Sequence, residues 1–192
     1  RKESSAASDV YKRQGVMSGT SLDGLDIIKC TFQKGDDWSF KIEEGITNKY
    51  SKNWLELIKN SHKKKPKELQ TNDYLYGDYI GKQVKTFIKK NNFKVDLIAS
   101  HGHTIFHQPE NKITLQIGNG QNIANITNTT TISDFRSLDV QLNGQGAPLV
   151  PIGDLKLFQD YKYCLNLGGF ANISIKRNNK IIAYDICPAN II

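Results

Sequence analysis

The sequence predicts an α/β fold of two related lobes, the second cut short, and three observations predict it. A strand, glycine turn, strand opening occurs twice, near residue 15 and near residue 163. Between the two, short apolar runs end in polar tips and alternate with stretches of helical periodicity, the grammar of an α/β sheet. Three of those tips, at His101, Gly118 and Asp134, fall at the carboxyl ends of predicted strands, where such sheets bind ligands.

Residues 1–14, RKESSAASDVYKRQ, are polar and aperiodic, with no secretory apolar region. Asp9 to Gln14 resembles the translated end of a transposon used in sequencing libraries. The segment is therefore set aside as a non-native leader, outside the fold. A first lobe is expected over residues 15–150 and the start of a second over 151–192.

The stretch from Gly15 to Asp26, GVMSGTSLDGLD, organises the first lobe. Asp23-Gly24 between two strand-like runs signals a hairpin, because glycine supplies the positive φ the turn needs. On composition alone a plain hairpin accounts for it. Gly19, Thr20 and Ser21 add small side chains, two hydroxyls and successive N–H groups, a nest suited to phosphate oxygens. Asp23 and Asp26 offer oxygen ligands to the magnesium that accompanies a nucleotide. The stretch is not a P-loop, which needs Lys-Ser/Thr opening a helix.

A third strand is expected over Trp38 to Ile46, where Phe40, Ile42 and Glu44 alternate with polar neighbours. Trp54, Leu57 and Ile58 recur at helical spacing. A longer helix opens at Pro66, a residue suited to the first helical position. Its inner face reads Leu69, Asp73, Tyr76, Ile80, Val84, Phe87 and Ile88, with Asp73 a blemish in the stripe. Strands follow at Val95 to Ala99, Thr114 to Ile117 and Thr130 to Ser133, with a short helix through Ile123 and Ile126. The loop Asn143 to Pro148 reads as a hinge, and Pro151 opens a helix to about Phe158. The second lobe begins with strands at Tyr163 to Leu167, Ala171 to Ile175 and Ile181 to Tyr184.

Composition narrows the function classes. The 192 residues, 38% of them hydrophobic, suit a globular chain rather than a disordered one. No apolar run approaches the ~20 residues of a membrane span. The net charge of +7 sits in lysine runs around Lys63–Lys67 and Lys89–Lys94, without aromatics at stacking spacing, which favours a solvated surface over a nucleic-acid site. Cys30, Cys164 and Cys187 have neither a disulfide framework nor a zinc spacing, and fit reduced thiols in a cytoplasmic protein.

Six motifs in order, GVMSGTSLDGLD, SHGHT, TLQIGN, SDFR, NGQGAPLVP and NLGGFANIS, resemble the anhydro-N-acetylmuramic acid kinases from Gly15 to Asn190. The resemblance implies an actin-like ATPase fold of the sugar kinase/Hsp70 type, with ribonuclease H-like lobes and the second truncated. Such kinases are about twice this length. It implies ATP with Mg²⁺, an amino-sugar substrate, no nucleic acid or membrane partner, and a homodimer at full length. The reaction implied opens 1,6-anhydro-N-acetylmuramic acid hydrolytically and phosphorylates O6. Gly19, Thr20, Ser21, Leu22, Asp23, Gly24, Leu25 and Asp26 map onto the family's phosphate loop. Asp185 maps onto the catalytic aspartate, in a segment where Pro188 and Asn190 are kept but Ile186, Cys187 and Ala189 depart. The family's His-Gly-Gln-Thr reads His-Gly-His-Thr here, with His103 in place of glutamine. His101, Arg136 and Asn190 are the implied sugar contacts.

Plainer roles stand beside these. His101 equally suits a strand-end cap on a backbone carbonyl. Asp134 and Arg136 read more readily as a structural ion pair than as substrate contacts. Asp139 lies beside the glycine loop, within reach of either lobe. Asn166 and Asn172 bracket the second hairpin, as stabilisers or ligand contacts. Two rival functions are weighed. One is an inactive sugar- or phosphate-binding fragment, since the remainder of the second lobe would complete the adenosine site. The other is a zinc hydrolase on His101, His103 and His107, disfavoured because Gly102 signals a turn past the strand end.

Overall fold

The structure, a computed structural model, describes residues 9–18, 22–178 and 180–189. Its centre is a five-stranded sheet. β1 (Asp9–Ser18) pairs antiparallel with β2 (Leu25–Lys34), and β2 with β3 (Trp38–Asn48). On the other side β1 pairs in parallel with β4 (Leu97–Ser100), and β4 with β7 (Thr131–Ile132). The spatial order is β3-β2-β1-β4-β7. β1 starts at Asp9, opposite Lys34, so setting residues 9–14 outside the fold is corrected.

Two helices precede β4. Ser51 Oγ accepts the Trp54 N–H and starts α1 (Lys52–Asn60). α2 (Pro66–Lys90) opens with Pro66 where expected, and Glu68 reaches back to the Lys65 N–H at 3.2 Å. α2 carries Tyr76, Ile80, Val84 and Phe87 into the main core, against Leu25 and Ile27 of β2 and Ile98 of β4. Each such side chain fully removed from water contributes about 1.5–3 kcal/mol. The Tyr50 and Tyr76 hydroxyls share a buried hydrogen bond of 2.6 Å, which satisfies both polar tips.

β5 (His103–Gln108) and β6 (Ile113–Ile117) form a separate antiparallel pair. β5 is a strand the sequence reading missed, because His101-Gly102-His103 looked like a tip with nothing beyond it. Gly102, at φ +69°, turns the chain there and presses against β6: a Cβ on it would lie 2.4 Å from the Ile117 carbonyl oxygen. α3 (Gly120–Thr127) then packs on α2. The contact is close because Gly77 and Gly81 have no side chains: a Cβ on Gly77 would lie 2.7 Å from the Asn119 backbone.

α4 (Ser137–Gln141) and α5 (Val150–Leu157) lead to a second sheet of order β10-β9-β8. β8 is Tyr163–Leu167, β9 Phe170–Arg177 and β10 Lys180–Pro188, all antiparallel. This meander repeats the β1–β2–β3 arrangement, as the sequence echo predicted. Phe158, after α5, packs edge-on against Phe40 of β3 at 5.5 Å between ring centroids. One face of the second sheet leaves Tyr163, Leu165, Leu167, Ile182 and Tyr184 exposed. Among the described residues, no helix is long and apolar enough to cross a membrane.

Gly77→Ala should destabilise the chain by roughly 1–3 kcal/mol, because neither neighbouring backbone can give way cheaply. Urea unfolding of the variant beside wild type measures it. An unchanged midpoint would show that α3 is free to move off α2.

Candidate active site

At the carboxyl ends of β4 and β7 lies a cavity of about 240 Å³, walled by Asp73, Ser100, His101, Gln116, Asn119 and Asp134 among others. Its wall is built by a carboxylate from α2. Asp73 Oδ1 accepts the Gly118 N–H at 2.8 Å, and Oδ2 accepts from Asn119 Nδ2 at 2.9 Å. The Asn119 N–H donates to the Asp73 carbonyl at 3.2 Å, while Asn119 Oδ1 caps α3 by accepting the Asn122 N–H at 3.1 Å. Asp73, the blemish in the helical stripe, is thus the clamp that joins α2, β6 and α3. Its signal was in the sequence: an acid interrupting an apolar face needs a partner. Gly118, at φ +122°, leaves 2.9 Å between a notional Cβ and Ile80 Cδ1, so only glycine fits beneath the clamp.

His101 and Arg136 come together at the edge of this cavity. Arg136 Nη2 lies 2.9 Å and Nε 3.2 Å from His101 Nε2, and Nη1 donates to the Gly146 carbonyl at 2.6 Å. His101 Nδ1 lies 3.1 Å from the Gly102 carbonyl. A carbonyl only accepts and a guanidinium only donates, so the ring carries its proton on Nδ1 and is neutral. Burial lowers the His101 pKa, partly offset by the Gly102 hydrogen bond, with the Arg136 charge lowering it further. The strand-end cap and the link to Arg136 therefore coexist in one ring.

The favoured Asp134–Arg136 ion pair is absent and is corrected. Asp134, at φ +56°, turns its carboxylate to the Ser137 N–H at 3.2 Å, at the start of α4. Asp139 holds the glycine loop: Oδ2 accepts the Gly146 N–H at 2.6 Å, and its carbonyl accepts the Gly144 N–H at 2.7 Å. The loop is braced from both sides, by Asp139 and Arg136.

Of the expected phosphate loop, Gly19, Thr20 and Ser21 lie outside the described residues, as does Asn190 among the sugar contacts. Leu22 takes φ +57° and packs against the core, and Leu25 is wholly buried there. Gly24 is needed for a different reason than expected. Its φ is not positive; a Cβ would instead lie 2.8 Å from the Asn48 carbonyl oxygen at the end of β3. Asp23 and Asp26 are exposed, and Asp26 Oδ1 accepts from Thr47 Oγ1 at 2.5 Å.

Asp185 is exposed on β10, opposite Asn172, and does not line the cavity. The ladder slips by one residue between Asp185 and Cys187, leaving Ile186 as the extra residue of a bulge. Bulges re-aim neighbouring side chains, and Asp185 borders this one. Asn166 and Asn172 are direct partners across β8 and β9.

The zinc reading finds no support. Among the described residues no group of three or more His, Cys, Asp or Glu side chains is placed to hold a metal. His101 has both nitrogens engaged, His103 is buried, and His107 Nδ1 meets Thr114 Oγ1 at 3.1 Å.

Burial, reinforced by neighbouring His101, lowers the His103 pKa to about 4. A folded-state value below the unfolded one means that the unfolded chain takes up the proton first. Stability from this ring is therefore complete above about pH 6.5 and declines down to about pH 4, by roughly 3 kcal/mol in all. His103→Gln should remove that component. Unfolding free energies of the two proteins between pH 7 and 4 should diverge accordingly; parallel curves would mean that His103 is not held neutral. Asp73→Leu should cost about 1–3 kcal/mol by leaving the Gly118 N–H unpaired. A retained Gly118 amide protection in hydrogen exchange would argue against the clamp.

Comparison with known proteins gives the family. The family model for anhydro-N-acetylmuramic acid kinase matches residues 12–192. The anhydro-N-acetylmuramic acid kinase of Bacillus cereus strain AH187 is 37% identical over 197 residues, covering 93% of this chain and 52% of the relative. That of B. cereus strain ATCC 10987 is 38% identical over 203 residues, covering 93% and 51%. That of Bacillus anthracis strain CDC 684 is 36% identical over 197 residues, covering 93% and 52%. The chain spans about half the length of the curated relatives it matches. With its motifs, its α/β sheet and this match along nearly its whole length, the chain belongs to the anhydro-N-acetylmuramic acid kinase family.

Proposed function

We propose that this chain carries the phosphate-loop and sugar-facing portion of a cytoplasmic kinase. The enzyme opens 1,6-anhydro-N-acetylmuramic acid with water and phosphorylates it from ATP, giving N-acetylmuramic acid 6-phosphate in peptidoglycan recycling. The family match over residues 12–192 is the observation that carries this reading. The sheet order β3-β2-β1-β4-β7, three antiparallel strands flanked by two parallel ones, supports a ribonuclease H-like lobe. The repeated meander β8–β9–β10 supports the start of a second lobe of actin-like type.

In this reading Asp185 is the general base. Its side chain is exposed on β10, within reach of water. The water oxygen bonds to the anomeric carbon, the C1–O6 bond breaks, and the freed O6 takes the γ-phosphoryl group as ADP leaves. The turn from Gly19 to Asp26 supplies backbone N–H groups to the phosphates. Asp23 and Asp26 fit a magnesium site, being exposed oxygen donors, with Asp26 oriented by Thr47. The ion, when bound, neutralises phosphate charge. His101, whose ring is locked to Arg136 at the cavity edge, is a sugar contact in this reading together with Arg136 and Asn190. A homodimer at full length, without nucleic-acid or membrane partners, completes the proposal.

Asp185→Asn, made in a protein extended to the length of its relatives, should lower phosphoryl transfer to the anhydro sugar by at least about 10²-fold. Mass spectrometry of the 6-phosphate product reads it. Undiminished turnover removes Asp185 from the role, and an extended parent protein that makes no product removes the kinase reading.

A further inference from the structure

A chain of hydrogen bonds leads from Asp139 to the wall of the cavity. Asp139 Oδ2 accepts the Gly146 N–H at 2.6 Å. The Gly146 carbonyl accepts from Arg136 Nη1 at 2.6 Å, and Nη2 of the same guanidinium lies 2.9 Å from His101 Nε2. His101 lines the cavity; Asp139 and Arg136 stand behind it.

The loop is shaped to make this chain. Arg136, the residue before α4, and Asp139, in its first turn, are three positions apart. Both reach Gly146, which is buried and takes φ +64°. A Cβ on Gly146 would lie 2.6 Å from Val140 Cγ2, so the residue sits hard against α4. Its N–H goes to the carboxylate and its carbonyl to the guanidinium. Gly144 answers to the carboxylate alone. Its φ is not positive, so its backbone does not require glycine. Yet a Cβ there would lie 2.2 Å from Asp139 Oδ2. An arginine side chain has many rotamers to lose, and a carbonyl fixes its heading only if that carbonyl is itself fixed.

We propose that Asp139 is a positioning residue of the sugar site: by holding Gly146 it sets the heading of Arg136, which keeps the His101 ring oriented at the cavity wall. The assignment rests on the kinase reading above and adds to it the residue that holds its sugar contacts in place. Without the carboxylate, Gly146 loses its anchor, Arg136 its fixed acceptor, and the His101 Nε2 lone pair is released. The titratable and charged groups around that ring are Arg136, His103 on β5, and the Asp73 and Asp134 carboxylates that share the cavity. Once the guanidinium turns away the carboxylates remain, and the ring protonates more readily.

The test compares Asp139→Ala, Asp139→Asn and Gly144→Ala with the parent. NMR of the imidazole groups follows the titration of His101, identified by its loss in His101→Gln. In Asp139→Ala the His101 pKa should rise and the Nδ1–H tautomer should lose its dominance. Gly144→Ala pushes a methyl group into the carboxylate and should act in the same direction. Asp139→Asn keeps an oxygen for the Gly146 N–H and should restore the parent titration. In the protein extended to the length of its relatives, Asp139→Ala should raise KM for 1,6-anhydro-N-acetylmuramic acid about tenfold, more than it changes kcat or the KM for ATP. A merely structural role would lower kcat with the fraction folded, leaving the His101 titration and both KM values where they are. An unmoved His101 titration in Asp139→Ala and Gly144→Ala, an Asn variant no better than Ala, or an unchanged sugar KM would each overturn the assignment while the kinase reading stands. An extended parent that makes no product overturns the kinase reading, and the sugar site with it, whatever the His101 titration shows.

Discussion

The grip of the Asp73 carboxylate on Gly118 and Asn119 is the constraint on which the rest of the first lobe depends. One side chain on α2 fixes the end of β6 and, through Asn119, the start of α3. The carboxyl ends of β4 and β6 meet at the same cavity, and the clamp holds the β6 end there. Charge-assisted hydrogen bonds of this kind are roughly twice as strong as neutral ones, and both carboxylate oxygens are used here. The glycines at 77, 102 and 118 are the steric counterpart, letting backbones approach where any side chain would hold them apart.

Much of the fold was legible because local pattern and tertiary role agreed. The first hairpin, the capped start of α2, its stripe of Tyr76, Ile80, Val84 and Phe87, and the meander after Tyr163 all follow from periodicity and turn chemistry. Failures came where a residue's role lay in a distant partner. Asp73 looked like a flaw because its partners lie some 45 residues on, at Gly118 and Asn119. β5 was hidden because Gly102 reads as a turn, which it is, and nothing local says that a strand resumes. Gly24 was chosen for its φ, but backbone proximity to Asn48 is what demands it.

The candidate site was legible to a different degree in each part. His101 and Arg136 were both singled out, but their mutual contact was not, since sequence neighbours made Asp134 look like the arginine's partner. Ser100 and Gln116 stood inside two of the motifs, but nothing there marked their side chains as unpaired. A serine ending a strand and a glutamine inside one are ordinary, and their unpaired atoms become visible only once the surrounding walls are in place. Asp185 was singled out by motif alone; the ladder slips beside it, between Asp185 and Cys187.

The arginine contact has a consequence for how protons can travel. An imidazole that receives N–H bonds on one nitrogen and spends its own hydrogen on a main-chain oxygen has no vacant lone pair with which to collect another. Near neutrality His101 is consequently disqualified as an acid–base shuttle, despite belonging to the residue type most often recruited for that job. Its contribution is rigid: it hands the guanidinium a fixed heading.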